Sequence, residues 1–178
     1  MSTICPICKN EYSYTSHKDV LTCSCCNNKV ALDKYYNLIS DNEKTPKNIK
    51  DWYLYQKQVE RNKIEDENYV LSSNVTLKLP DPDGKGFKVS GKGITTLTKK
   101  GISFKGIINN EEKEIFFDIK NLPAVPFGVK EDFEIYHDNT LYYFIPDNIR
   151  ECVKWSVVAE QMYQKFLDDN GLTEWRES

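Results

Sequence analysis

Arginine, histidine and long apolar runs are what this 178-residue sequence has least of. Arg61, Arg150 and Arg176 are the arginines among 24 basic side chains, which argues against a phosphate site built on bidentate guanidinium forks. Two histidines, His17 and His137, stand at no recognisable spacing from a nucleophile, so the sequence offers no acid–base constellation and reads as non-enzymatic. No stretch approaches the roughly 20 apolar residues of a membrane span. Met1-Ser2-Thr3-Ile4 lacks the basic and apolar regions of a signal peptide, so the expected location is cytoplasmic. Cysteine is also scarce over most of the chain. Five of the six fall in the first 26 residues, and only Cys152 follows. That excludes a disulfide framework spread over a secreted fold and points to one compact cysteine site.

The chain is 39% hydrophobic and 12% aromatic, enough to bury a core. Its formal net charge of −3 conceals a gradient. Residues 1–77 are neutral, residues 78–106 carry seven Lys against Asp81 and Asp83, and residues 107–178 carry 15 acids against seven bases. Such a dipolar surface could steer an anionic partner.

Cys5-Pro6-Ile7-Cys8 and Cys23-Ser24-Cys25-Cys26 are two C-x-x-C pairs, and their spacing predicts a structural zinc site of four thiolates, Cys5, Cys8, Cys23 and Cys26. Each pair would form a tight turn whose amides point at the sulfurs, and Lys9 to Thr22 is long enough for a hairpin. Cys25 is the spare, with a Cys23/Cys25 choice left open. A redox dithiol and a nucleic-acid finger are the competing readings. The first would sit between a strand and a helix, and the second would need a basic ribbon. The pattern resembles the zinc-ribbon family, whose knuckles are followed by Gly; Lys9 and Asn27 stand there instead.

Downstream, Tyr35, Tyr36, Leu38 and Ile39 form an apolar cluster expected to pack on this module. Thr45-Pro46 reads as a helix start with Thr45 as N-cap, and Ile49, Trp52, Tyr53 and Val59 as one face of a helix ending near Ile64. Seven short β-type runs follow: 70–79, 87–91, 93–98, 102–108, 114–119, 132–137 and 141–145. Asp147 to Asp169 reads as one amphipathic helix, capped by Asp147 or Asn148, with Cys152, Trp155, Ala159 and Met162 on its stripe. The organisation is a ribbon over 1–45, a helical linker over 46–69, a seven-stranded sandwich or barrel with a capping helix over 70–169, and a tail over 170–178.

That element order, together with Leu97-Thr98-Lys99-Lys100-Gly101-Ile102-Ser103-Phe104, resembles the pleckstrin-homology and GRAM-like domains, in which two sheets meet nearly at right angles. Ribbon, a helix with Trp52-Tyr53-Leu54-Tyr55-Gln56, then a PH-like domain is similar to the C-terminal accessory region of some bacterial lysophospholipid acyltransferases. Their catalytic His followed by Asp after four residues is absent: Thr22 stands five positions beyond His17 and Tyr142 five beyond His137.

Gly86 to Gly93 nearly matches a phosphate-binding loop but ends in Gly where a hydroxyl would hold magnesium, so it reads as two strands with a Gly-rich bend. Lys78, Lys88, Lys92, Lys99 and Lys100 are candidates for an anion-binding face, opposed by a solvated-surface reading. Leu122 to Val129 reads as a prolyl connector over the sheet opening. The expectation is a zinc-binding adaptor with a PH-like module for a protein or an anionic membrane surface, peripheral to the membrane in the latter case. An acyltransferase accessory module and a nucleic-acid-binding ribbon are the alternatives.

Overall fold

The computed structural model describes residues 4–128 and 131–172, and the chain divides into two compact units, 1–60 and 61–178. Each is built around its own buried cluster.

In the first unit four short strands, β1 (Tyr14–His17), β2 (Val20–Cys23), β3 (Lys29–Leu32) and β4 (Leu38–Ile39), form an antiparallel sheet in sequential order. Lys18 takes a positive φ of 50° in the tight β1–β2 turn. Helix α1 (Ile49–Lys63) follows. Its cap is Asn48, whose side chain accepts from the Asp51 amide at 2.8 Å. Thr45, the expected cap, is buried instead, with its hydroxyl bonded to Ser40. The helix face also differs from expectation. Ile49 is exposed, and the buried side is Trp52, Gln56 and Glu60, at steps of four. An apolar-only pattern misses a face carrying two polar residues. Tyr35 and Tyr36, expected to pack, are each 71% exposed, and of their cluster only Leu38 joins the ribbon core.

The second unit is a curled six-stranded sheet, a half-barrel, with a C-terminal helix; the chain as a whole is mainly β. The strands β5 (Leu71–Pro80), β6 (Phe87–Thr98), β7 (Gly101–Ile108), β8 (Glu111–Asp118), β9 (Phe133–His137) and β10 (Thr140–Pro146) lie in the order β8-β7-β6-β5-β10-β9. The β7–β8 and β9–β10 turns place Asn109, Asn110, Asp138 and Asn139 at positive φ, the primed-turn geometry that matches strand twist.

Six strands replace the seven expected runs because 87–91 and 93–98 are one strand. The glycines read as a break are where the backbones approach. A Cβ on Gly91 would lie 2.3 Å from the Ile107 carbonyl, and one on Gly106 2.3 Å from that of Lys92. Between Leu77 and Lys78 the register slips, leaving Ser90 as the extra residue of a β-bulge. Bulge and glycines together curl the sheet while keeping β6 hydrogen-bonded, so 87–93 forms strand rather than a phosphate loop.

The core is aromatic. Phe133 stacks on Trp155 at 4.6 Å and on Phe144 at 5.2 Å. Helix α2 (Cys152–Asp169), entered through a 3₁₀ turn capped by Asn148, buries Cys152, Trp155, Ala159 and Met162 as its stripe predicts. The Trp155 indole donates to the Ser73 hydroxyl at 2.9 Å, which in turn bonds Glu151. The apolar connector serves this core: Leu122 and Val125 are buried in it, and Phe127 bridges to Phe133. Val129, also in that connector, lies outside the described residues.

Candidate metal centre

Two short loops, each followed by a left-handed residue, build the site. The Cys5 carbonyl accepts from the Lys9 amide at 3.0 Å and the Cys23 carbonyl from the Asn27 amide at 2.9 Å. Lys9 (φ 65°) and Asn27 (φ 57°) then reverse the chain, so that the Cys5 amide reaches the Asn10 carbonyl and the Cys23 amide that of Asn28, each at 2.9 Å. The two halves are conformational copies. Asn pays little for a positive φ, whereas Lys9 is held there by contacts: its ammonium donates to the Pro6 carbonyl at 3.0 Å and to the Tyr55 hydroxyl at 2.6 Å.

The result is convergence. The sulfurs of Cys5, Cys8, Cys23 and Cys26 all lie within 4.8 Å of one another, with Cys5–Cys26 and Cys8–Cys23 each at 3.7 Å. A tetrahedron with metal–sulfur bonds of about 2.3 Å has edges of about 3.8 Å, so the quartet has the size of a single tetrahedral ion. Cys25 is exposed and stands outside the quartet, which settles the second pair as Cys23 and Cys26. Cys152 is in the other unit's helix, fully buried.

The electrostatics show what ionising all four thiols would take. Burial opposes ionisation of Cys23, but the Ser13 hydroxyl and the amides of Cys26 and Cys25 outweigh it and bring that thiol down to about 6. The Asn28 amide favours a Cys26 thiolate, yet burial and the neighbouring sulfurs push Cys26 up to about 12. Cys8 is lowered, chiefly by the Asn10 amide. Four sulfurs this close cannot all be anionic unless a positive ion sits among them.

Sequence reasoning picked out the four cysteines that the structure brings together, but not the groups around them. Ser13 and Cys23 are hydrogen-bonded at 3.2 Å, Asn10 donates its side-chain amide to the Cys8 sulfur at 3.5 Å, and the Tyr14 hydroxyl lies 3.4 Å from that of Cys5. Burial, with Cys5 beside it, raises Tyr14, which keeps its proton. One signal was available: both halves read C-x-x-C-x-N, and both asparagines, Asn10 and Asn28, serve the site.

The lysines predicted for an anion site do not converge in this way. Lys78 and Lys88 lie near one end of the β5–β6 ladder, while Lys99 and Lys100 occupy the turn at the far end of β6, on the order of 30 Å along the strand. Lys88 is paired with Asp81 at 3.0 Å and Lys99 with Glu67 at 2.5 Å. Lys92 is exposed between Thr76 and Ile107, and Lys105 faces Glu114. No helix among the described residues is long and apolar enough to cross a membrane. No protein-family model and no curated protein matches the chain.

Proposed function

We propose that this chain is a non-catalytic, zinc-binding adaptor whose second unit presents a PH-like half-barrel to a protein partner. The observation that carries the reading is the sulfur quartet: all four positions of a tetrahedron come from protein, leaving none for substrate or an activated water. Soft thiolates at this spacing suit one zinc ion, while a polynuclear iron–sulfur cluster would need its sulfurs farther apart. Zinc bound there would fix the ribbon's two halves to each other, so the metal's role is folding.

A protein partner is favoured over an anionic membrane because the basic stretch is partly neutralised. Lys88 and Lys99 are committed to carboxylates and Lys105 stands opposite Glu114. A role beside a phospholipid acyltransferase is one form of this reading, resting on the resemblance of the ribbon, the Trp52-Tyr53 helix and the sheet domain. A nucleic-acid-binding ribbon draws support from exposed Tyr35 and Tyr36, with the Lys34 ammonium 4.9 Å from the Tyr35 ring centroid.

Metal analysis of purified protein tests the first part: one zinc per chain is expected, and a content well below one refutes it. Co-sedimentation with anionic vesicles and titration with single-stranded DNA or RNA test the second. Salt-sensitive vesicle binding weakened by Lys88→Glu and Lys92→Glu would move the assignment to a membrane surface. A steep salt dependence with nucleic acid would move it to the ribbon.

A further inference from the structure

The Tyr14 hydroxyl touches the Cys5 sulfur at 3.4 Å, and its other neighbour is the Asn28 side chain. Asn28 donates one side-chain amide hydrogen to the Tyr14 oxygen at 2.9 Å and shares that amide with the Thr45 hydroxyl at 3.3 Å. Thr45 donates to Ser40 at 3.2 Å, and Ser40 donates back to the Asn28 carbonyl oxygen at 3.1 Å. Asn28, Thr45 and Ser40 form a closed ring of hydrogen bonds. Turning the Asn28 amide over would still serve Thr45 and Ser40, with their hydroxyls reversed, but it would draw the Tyr14 proton to Asn28 and set the bare phenol oxygen against a Cys5 thiolate, so a loaded site favours the orientation in which Asn28 donates to Tyr14. With its oxygen occupied by Asn28, the Tyr14 phenol has its own hydrogen free, and the neighbouring acceptor is Cys5. A metal-bound thiolate has no proton to give, so the bond runs from phenol to sulfur.

From this geometry we infer that Tyr14 is a positioning residue of the metal centre: with the Asn28 amide donating to its oxygen, it donates a hydrogen bond to the Cys5 thiolate, and so sets how tightly the site keeps its ion. The inference rests on the zinc reading above. Zinc with four thiolates carries a net charge of −2, and around Cys5 that charge is buried. A donor aimed at one sulfur disperses it, stabilising the loaded site and making Cys5 less nucleophilic. The arrangement also ties the ligand to chain well beyond the ribbon strands. Tyr14 packs edge-on against Trp52 of α1 at 5.2 Å, and the Trp52 indole donates to the Ile4 carbonyl at 3.1 Å, one residue before Cys5.

The test uses the full chain with cobalt and zinc, comparing wild type with Tyr14→Phe, which keeps the ring and its packing and removes only the hydroxyl. Tyr14→Phe is expected to retain the tetrahedral cobalt bands, shift the sulfur-to-cobalt charge-transfer band to lower energy, and hold zinc about 10-fold more weakly against a chelator. It should also lose zinc faster to a thiol-disulfide reagent. An unchanged band with affinity within twofold of wild type overturns the role of Tyr14 alone. Failure of the wild type to take up either metal overturns the zinc reading and this inference together. Should Tyr14→Phe take up no cobalt, Asn28→Ala carries the test, because it keeps the phenol but removes the amide that donates to its oxygen and strengthens it as a donor: a shifted charge-transfer band supports the inference and an unshifted one overturns it.

Discussion

The Lys9 ammonium lies 2.6 Å from the Tyr55 hydroxyl and 4.7 Å from the centre of its ring, so the residue that reverses the first cysteine loop is gripped by helix α1. A lysine at φ 65° is costly, and this contact offsets the cost. Lys9→Gly relieves the backbone while losing the contact, so its effect on the melting of the zinc-loaded protein should stay within about 0.5 kcal/mol. Asn27→Val, a β-branched residue with no such compensation, should cost about 1–2 kcal/mol. Equal losses in the two variants would refute the account.

Removing the metal should affect the two units differently. With a strong chelator present, thermal unfolding should show the 1–60 transition lost or greatly lowered and a separate cooperative transition retained by the half-barrel, whose core contains no metal ligand. Cys23→Ser and Cys26→Ser should purify without stoichiometric zinc, and Cys25→Ser should keep it.

Glycines in the curl of the sheet should be intolerant. Gly106→Ala places a methyl 2.3 Å from the Lys92 carbonyl, in backbone that cannot move without breaking the β6–β7 ladder, and should cost about 3 kcal/mol by denaturant unfolding. A loss under about 1 kcal/mol would mean that the curl can relax.

Thiol reactivity should separate the six cysteines. Cys152 is fully buried, and burial, helped by Asp132, pushes its thiol up to about 11. The folded protein therefore keeps Cys152 protonated where the unfolded chain, titrating near 9, begins to ionise it. Its contribution to stability is intact below pH 9 and declines as pH rises from 9 towards 11. In zinc-loaded native protein at pH 8, Ellman's reagent should titrate Cys25 rapidly and Cys152 only on unfolding. A second fast thiol assigned to Cys152 by mass spectrometry would contradict the core placement.

Features set by short-range spacing were legible in the sequence. The C-x-x-C pairs fix a loop geometry that brings two sulfurs together within four residues, and the 152–162 stripe follows from the helical repeat. Less visible were features whose cause lies across the sheet. Gly91 and Gly93 read as a break because glycine usually ends a strand; here they admit the backbones of Ile107 and Lys105, a requirement visible only once β7 is in place. Thr45 has a cap's side chain, but Asn48 took that role and Thr45 was drawn into the ring around Asn28.

The sequence by itself determined that one compact cysteine site, within residues 5–26, precedes a mainly β chain that closes on an amphipathic helix. The tertiary structure alone decided which polar side chains reach the sulfurs, and that the lysines of 78–106 are spread over β5, β6, β7 and their turns and partly paired, while it closed the Cys23/Cys25 choice that spacing had left open. The reason is range: loop and helix spacings act over three or four residues, whereas a hydrogen bond to a sulfur or an ion pair across strands depends on register, which is set when distant segments bury their apolar faces together.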